Sequence, residues 1–258
     1  TPLGSESNEE CRIDSISQSW SVLSGAGDKN RSRIAMEAAY KYLVRKDKSL
    51  IQLLDPPFDK SELNPGYIKG YVPGVRENGG QYTHAAIWLV MAFAALKNNQ
   101  RSWELFSMIN PVNLGSTPEK IAVYKVEPYV VAADVYSISL HSGRGGWTWY
   151  TGSAGWMYRL ILESLFGINR EANTLRLNPC FPKEWESFSV NYKYSETYYR
   201  IKFLQTTGSK DSIKVKLDGV ELTGNVAILI DDHLEHYLEV SITNAEKEVT
   251  IERDRVRT

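Results

Sequence analysis

The sequence predicts an α-helical part running to about residue 168, followed by an all-β part over residues 169–258. Two observations carry this. In the first part apolar residues recur at helical spacing, as at Ala85, Ala86, Leu89, Val90, Phe93 and Leu96. Near Gly167 the pattern changes to short segments rich in β-branched and aromatic residues, several alternating apolar with polar, with turns such as Asp218-Gly219 between them. This second pattern predicts an antiparallel, sandwich-like arrangement.

The elements follow in order. Residues 1–14 read as loop. Ser15–Ser24 reads as a short helix stopped by Gly25 and Gly27. Asp28 is placed to cap a second helix whose apolar face is Ile34, Ala35, Ala38, Ala39, Tyr42 and Leu43, ending near Asp47. Residues 49–82 form a long Pro- and Gly-rich segment, a length that inside a compact domain points to function. A buried helix is expected over Thr83–Leu96 and another over Arg101–Met108, with a second long loop over Pro111–Val126. Tyr129–Leu140 is an apolar run that its neighbours argue is a helix. Ser142–Gly146 is a Gly-rich loop, and Ala154–Leu165 is a further apolar helix. Strands are expected at Thr174–Leu177, Phe188–Tyr194, Tyr198–Leu204, Ser212–Leu217, Val226–Ile230 and Tyr237–Ile242.

Composition narrows the function. The 258 residues suffice for two modest domains or one large one. Net charge is −1 and there is no long basic run, which argues against nucleic-acid binding and membrane-surface adhesion. Seven Trp and fifteen Tyr suit stacking on carbohydrate and equally suit a large core. Cys11 and Cys180 have neither metal spacing nor a disulfide framework, so a reducing, cytoplasmic compartment is expected. No apolar run spans a bilayer and no signal peptide is seen. The chain opens on Thr1 and a polar segment, which reads as the middle of a longer protein.

Two stretches stand out for chemistry. In Gly70–Leu96, GYVPGVRENGGQYTHAAIWLVMAFAAL, Arg76, Glu77 and His84 lie at or just before a helix N-terminus, where free N–H groups favour anions. Gly79 and Gly80 let the backbone turn or approach a ligand. A salt-bridged loop entering a core helix fits this stretch as well. In Gly143–Tyr158, GRGGWTWYTGSAGWMY, Thr151, Gly152 and Ser153 precede a helix and can cradle a phosphate; a plain N-cap is the competing account. Trp147 and Trp149 suit a sugar-stacking wall or packing between domains.

Asp14, Glu77, Glu127 and Asp134 are the acids worth weighing, and Asp134 needs a partner if its apolar run is buried. Any two could pair for glycoside chemistry, and the sequence does not choose. His141 adjoins a Gly-rich loop, while His233 and His236 are expected on the surface of the β part. No metal motif, phosphate-loop fingerprint or dinucleotide fingerprint occurs.

Four stretches together resemble glycoside hydrolase family 94, the inverting β-glycoside phosphorylases: CRIDSISQSWSVLSGAG at Cys11–Gly27, GYVPGVRENGGQYTHAAIW at Gly70–Trp88, YKVEPYVVAADVY at Tyr124–Tyr136 and GGWTWYTGSAGWMY at Gly145–Tyr158. A weaker likeness continues through LRLNPCFPKEW. Within the family the chain looks most like the phosphorylase-like C-terminal region of cyclic β-1,2-glucan synthases. The resemblance implies part of an (α/α)6 helical barrel followed by an antiparallel β-sandwich-like C-terminal domain. It implies that His84, Thr151 and Gly152 bind phosphate, and that Arg76 and Glu77, with Gln18 and Trp20 nearby, bind sugar. Inorganic phosphate is then a co-substrate, and no metal or organic cofactor is needed. The implied reaction releases α-glucose 1-phosphate from a β-linked glucan, and the implied location is cytoplasmic, on the inner face if the parent is a membrane-bound glucan synthase.

One departure matters. The family's general acid is an Asp in a stretch like GDWNDG upstream of RIDSISQSW, and no such stretch occurs here. The chain therefore resembles the C-terminal part of such an enzyme, with no catalytic residue of its own. Its partners would be glucan, phosphate and an upstream part of the same protein or another copy. The rival functions are a carbohydrate-binding fragment without turnover and a β-glucan hydrolase.

Overall fold

The computed structural model describes residues 3–62, 64–149 and 152–245. The chain divides into two compact units, each with its own core. The first runs up to Gly167 and includes Pro179–Pro182; the second comprises Ile168–Asn178 and the chain from Lys183 onward.

The first unit is built on helices α1 (Ser15–Leu23), α2 (Lys29–Leu43), α3 (Thr83–Ala95), α4 (Asn99–Ile109), α5 (Pro111–Leu114), α6 (Pro118–Tyr124) and α7 (Gly152–Arg159), the last continuing as a π-helical turn over Leu160–Leu165. Helix α3 is apolar nearly all round, and most of its residues are buried, as a helix without a polar face must be. Helices α1, α4, α7 and the π-helical turn all pack on it. Met36 and Leu43 of α2, Leu89, Val90 and Phe93 of α3, Leu105 of α4 and Leu160 of the π-helical turn share one core. Each such side chain contributes about 1.5–3 kcal/mol by leaving water. The caps at α1 and α2 fall where the sequence places them. Asp14 accepts from Ser17 N–H at 2.8 Å, and Asp28 from the N–H groups of Asn30 and Arg31 at 3.1 and 2.9 Å.

Short strands tie the loops to this core: β1 (Ile13–Asp14) with β4 (Leu54–Asp55), β2 (Val44–Arg45) with β3 (Leu50–Ile51), and β5 (Gln81–Tyr82) with β6 (Asp134–Val135), all antiparallel. Pro179–Pro182 is held by Trp103, whose indole N–H donates to the Cys180 carbonyl at 2.6 Å, and by Asn99, which donates to the Phe181 carbonyl at 3.2 Å.

Three expectations for this unit do not hold. Helix α2 stops at Leu43, because Val44 turns extended to pair with Ile51. Residues 111–126 are no loop. Asn110 and Thr117 each cap a short helix that has Pro at its first position, a start signal the length argument obscured. Residues 129–138 are no helix, and only a 3-10 turn follows at Ser139–His141. Their backbone groups bond outward: Thr83 N–H to the Ala133 carbonyl at 2.9 Å, and Ala133 N–H to the Trp147 carbonyl at 2.6 Å.

The second unit is a five-stranded and a three-stranded sheet. The larger has the order β12 (Val220–Glu221), β11 (Ser212–Leu217), β14 (Glu235–Ala245), β10 (Thr197–Gly208), β9 (Ser187–Tyr194). The smaller has the order β13 (Val226–Ile228), β8 (Thr174–Leu177), β7 (Ile168–Glu171). Alternate residues of β10, Tyr199, Ile201 and Phe203, are buried, as are Leu238 and Val240 of β14. The expected antiparallel pattern fails at one place: β10 and β14 run parallel, Tyr198 beside Glu235 through Gly208 beside Ala245. Parallel neighbours need a long connection, and residues 209–234 supply it while forming β11, β12 and β13. The β11–β12 turn is Asp218-Gly219 with both φ positive, at 49° and 83°, as a tight hairpin requires.

Candidate functional site

The loop from Tyr71 to Gly80 is stapled by Asn78, which is fully buried. Its side chain accepts from Phe58 N–H at 2.7 Å and donates to the Phe58 and Tyr71 carbonyls, each at 2.8 Å. Arg76 stands at the tip with φ 50°, a left-handed conformation that costs a non-glycine residue about 1–2 kcal/mol. Its Nε lies 3.4 Å from Glu77 Oε2, and both side chains are largely buried. The guanidinium lies 5.4 Å from the Tyr71 ring centre and 5.1 Å from that of Trp147. Burial opposes the charge on Arg76, but Glu77, Tyr71 and Asp134 together raise its pKa. The Glu77 charge in turn pushes the Tyr67 hydroxyl up. Gly80 is required by the loop itself, since a Cβ there would meet Arg76 carbonyl oxygen at 2.8 Å.

Strand β5 leads from this loop into α3. Tyr82 stacks on His84, with ring centres 5.2 Å apart and planes 21° apart. Among the described residues His84 Nδ1 is buried without a hydrogen-bond partner, and burial lowers the imidazole pKa, so the ring is neutral near pH 7. Its Nε2 faces the start of α7, where a Cβ on Gly152 would lie 2.7 Å away. Ser153 is buried and donates to the Val131 carbonyl at 3.3 Å. A neutral imidazole and the N–H groups of a helix start are groups suited to an anion. Thr151 lies outside the described residues.

The remaining candidates separate. Trp20 is 39% exposed and sits edge-on to Trp88, 5.6 Å between ring centres, which links it through Trp88 to His84. Gln18, on another face of α1, lines a separate groove of about 490 Å³ with Arg12, Tyr42 and Asp55. Asp14 is used in capping α1. His141 is exposed in a turn. In the β unit His233 is exposed, but His236 is not the surface residue expected: its ring is held between Asp218 at 2.7 Å and Asp232 at 3.2 Å.

Asp134 is the residue the sequence underweights. It lies opposite Tyr82 in the β5–β6 pair and is 1% exposed. Its Oδ1 accepts from Trp147 N–H at 3.0 Å, so the carboxylate reaches the same wall as Arg76. The signal was an acid inside an apolar run, and the missing information was its strand partner.

Among the described residues no helix is long and apolar enough to cross a membrane. The family described as "Glycosyl hydrolase 94 superfamily, catalytic domain" matches residues 1–167. The chain is 47% identical over 230 residues to the cyclic β-(1,2)-glucan synthase NdvB of Rhizobium meliloti (strain 1021), an alignment covering 89% of this chain and 8% of that protein. It is 26% identical over 242 residues to solabiose phosphorylase of Paenibacillus borealis, covering 93% and 31%. It is 29% identical over 224 residues to 3-O-β-D-glucopyranosyl-β-D-glucuronide phosphorylase of the same organism, covering 85% and 28%. The chain thus spans less than a third of each of these relatives. The resemblance read from the four sequence stretches is borne out, and the chain belongs to the glycosyl hydrolase 94 superfamily.

Proposed function

We propose that this chain is the C-terminal part of a glycosyltransferase of the glycoside phosphorylase type, which acts on β-linked glucan, β-1,2-linked in particular, with inorganic phosphate and releases α-glucose 1-phosphate. His84 with Thr151 and Gly152 holds the phosphate, and Arg76 and Glu77, with Trp20 further off, hold the sugar, while Gln18 faces the separate groove beside Arg12 and Asp55. The observation that carries the reading is the approach of the His84 ring to the first residue of α7, which puts a neutral imidazole beside a helix start.

In this reading residues 1–168 belong to an (α/α)6 barrel completed by an upstream part or by a second copy, and residues 169–258, of which 246–258 lie outside the described residues, belong to its C-terminal β domain. The acid that protonates the glycosidic oxygen is supplied from outside the chain. Phosphate attacks the anomeric carbon from the opposite face, breaking the glycosidic bond with inversion, and the leaving sugar keeps the proton. No organic cofactor takes part, and the parent enzyme works in the cytoplasm or on the cytoplasmic face of a membrane.

Calorimetric titration of the chain with phosphate and, separately, with a β-1,2-glucan oligosaccharide tests this. Binding of both is expected. Binding of glycan with indifference to phosphate would leave a carbohydrate-binding module, and binding of neither would end the proposal.

A further inference from the structure

Asp134 presents a carboxylate inside the helical unit with half of its accepting capacity unused. Oδ1 takes the Trp147 N–H at 3.0 Å, and the Asp134 carbonyl takes the Gly146 N–H at 2.8 Å. Oδ2 is buried with no hydrogen-bond partner among the described residues. The seat exists only because residue 146 has no side chain: a Cβ there would lie 2.4 Å from Oδ1 and 2.6 Å from Oδ2. Burying a charge that is only half satisfied is costly, and an amide of the same shape would brace Trp147 equally well. The negative charge itself therefore needs a use.

Arg76 is a cation that shares Trp147 with Asp134. Burial pushes the Asp134 carboxyl up, the Trp147 N–H and the Arg76 charge work against that, and Arg76 carries its guanidinium 5.1 Å from the centre of the Trp147 ring that Asp134 braces. Glu77, beside Arg76, is the like charge that Asp134 must work against.

We propose that Asp134 is a positioning residue for the sugar side of the site: its carboxylate fixes the Gly146–Trp147 backbone, and its charge holds the Arg76 guanidinium on the Trp147 ring. Arg76 and Glu77 then meet a sugar in one arrangement. Asp134 touches no sugar and acts through Arg76 and Trp147. The proposal rests on the reading of Arg76 and Glu77 as sugar-binding residues. It also predicts separability: the phosphate side, built on His84 and Gly152, does not depend on the Asp134 charge.

The test is Asp134→Asn in the 258-residue chain, beside wild type and Glu77→Gln. Binding of a β-1,2-glucan oligosaccharide is followed by calorimetry and by tryptophan fluorescence, with inorganic phosphate as the second titrant. Asparagine keeps the acceptor for Trp147 N–H, removes the charge and puts an amide NH2 in place of Oδ2. The expected result is oligosaccharide affinity about tenfold or more weaker, with phosphate affinity and melting temperature unchanged. Wild-type affinity in Asp134→Asn, with Glu77→Gln weakened, overturns the role of Asp134 and leaves the sugar site standing. Failure of wild type to bind the oligosaccharide overturns both.

Should Asp134→Asn not fold, wild type supplies a second measurement. The groups facing Asp134 are Arg76 and Glu77 from the loop, Tyr82 across the strand pair, and the uncharged Gly146 and Trp147. Oligosaccharide affinity should fall on acidification at a pH above the ordinary Asp value of about 3.9, since burial raises this carboxyl. Affinity that stays flat from about pH 7 to pH 4 overturns the proposal.

Discussion

His84 Nε2 and Gly152 are so close that a methyl group on Gly152 would sit 2.7 Å from the imidazole nitrogen. Glycine at the start of α7 is thus what allows the histidine to lie over the helix N-terminus. Two elements far apart in sequence, α3 and α7, are brought into contact at this point, where the side chain is missing.

Gly152→Ala should displace the His84 ring while leaving the helices intact, because the clash is with a side-chain end. Phosphate affinity is expected to fall about tenfold or more, with a melting temperature near that of wild type. An alanine variant that binds phosphate normally would show that the contact is packing only.

Removing the imidazole gives the companion result. His84→Ala should cost phosphate binding about 1.5–3 kcal/mol, the worth of a hydrogen bond to a charged group. Burial lowers the His84 pKa, so the neutral ring is the donor, and no loss of phosphate affinity is expected from His84 deprotonation between about pH 6.5 and 8. Equal affinity in wild type and His84→Ala, measured by calorimetry, removes His84 from the phosphate site.

Glu77→Gln in the complete enzyme should lower sugar turnover with the fold intact. Glu77 sits in a loop braced by Asn78, so the loop does not depend on it. The contrary pattern is a large drop in melting temperature with normal kinetics in the folded fraction, which would make Glu77 a brace for Arg76.

The 258-residue chain alone should show no phosphorylase activity. A positioned general acid contributes roughly 10²–10⁴-fold, and no stretch of this sequence resembles the family's acid motif. Ile34, Tyr42 and Trp20 are exposed on α1 and α2, so light scattering is expected to show association. Robust glucose 1-phosphate release by a well-behaved monomer defeats this, and would put the acid among Asp14, Glu77, Glu127 and Asp134.

The β unit carries a titrating clasp. The hydrogen bond to Asp218 leads in raising the His236 pKa; burial opposes it, and Asp232 adds to it. A raised pKa stabilises fully below the free histidine value of about 6.5, and that contribution is lost as pH rises through the folded value. For Asp218, burial is outweighed by the Tyr237 N–H and His236, and for Asp232 the Leu234 N–H leads; both are lowered. Their contribution is present above the ordinary carboxylate value of about 3.9 and is lost as pH falls through the folded values. Melting of the β unit should therefore be highest between about pH 4 and 6.5. His236→Gln should lower it at pH 6 and have less effect at pH 9; the same loss at both values would mean that the clasp is uncharged.

What the sequence determined by itself is what repeats locally. Helix α3 is read from its apolar periodicity, the caps at Asp14 and Asp28 from residue type and position, the change from helix to strand near Gly167 from composition, and the family from four short stretches. What only the tertiary structure decided is where backbone groups find partners at long range. The run from 129 to 140 is apolar in either conformation; pairing of Asp134 with Tyr82, and of Ala133 with Trp147, makes its centre extended. The parallel pairing of β10 with β14 is equally invisible to alternation, which shows a buried face but not a neighbour. Asp134 is the sharpest case. As a residue it reads as an acid needing a partner, and only folding puts its carboxylate in the space left by Gly146, bonded to the Trp147 whose ring the Arg76 guanidinium faces. Periodicity records which side of an element is buried; the identity of what covers it is fixed by contacts between segments distant in sequence.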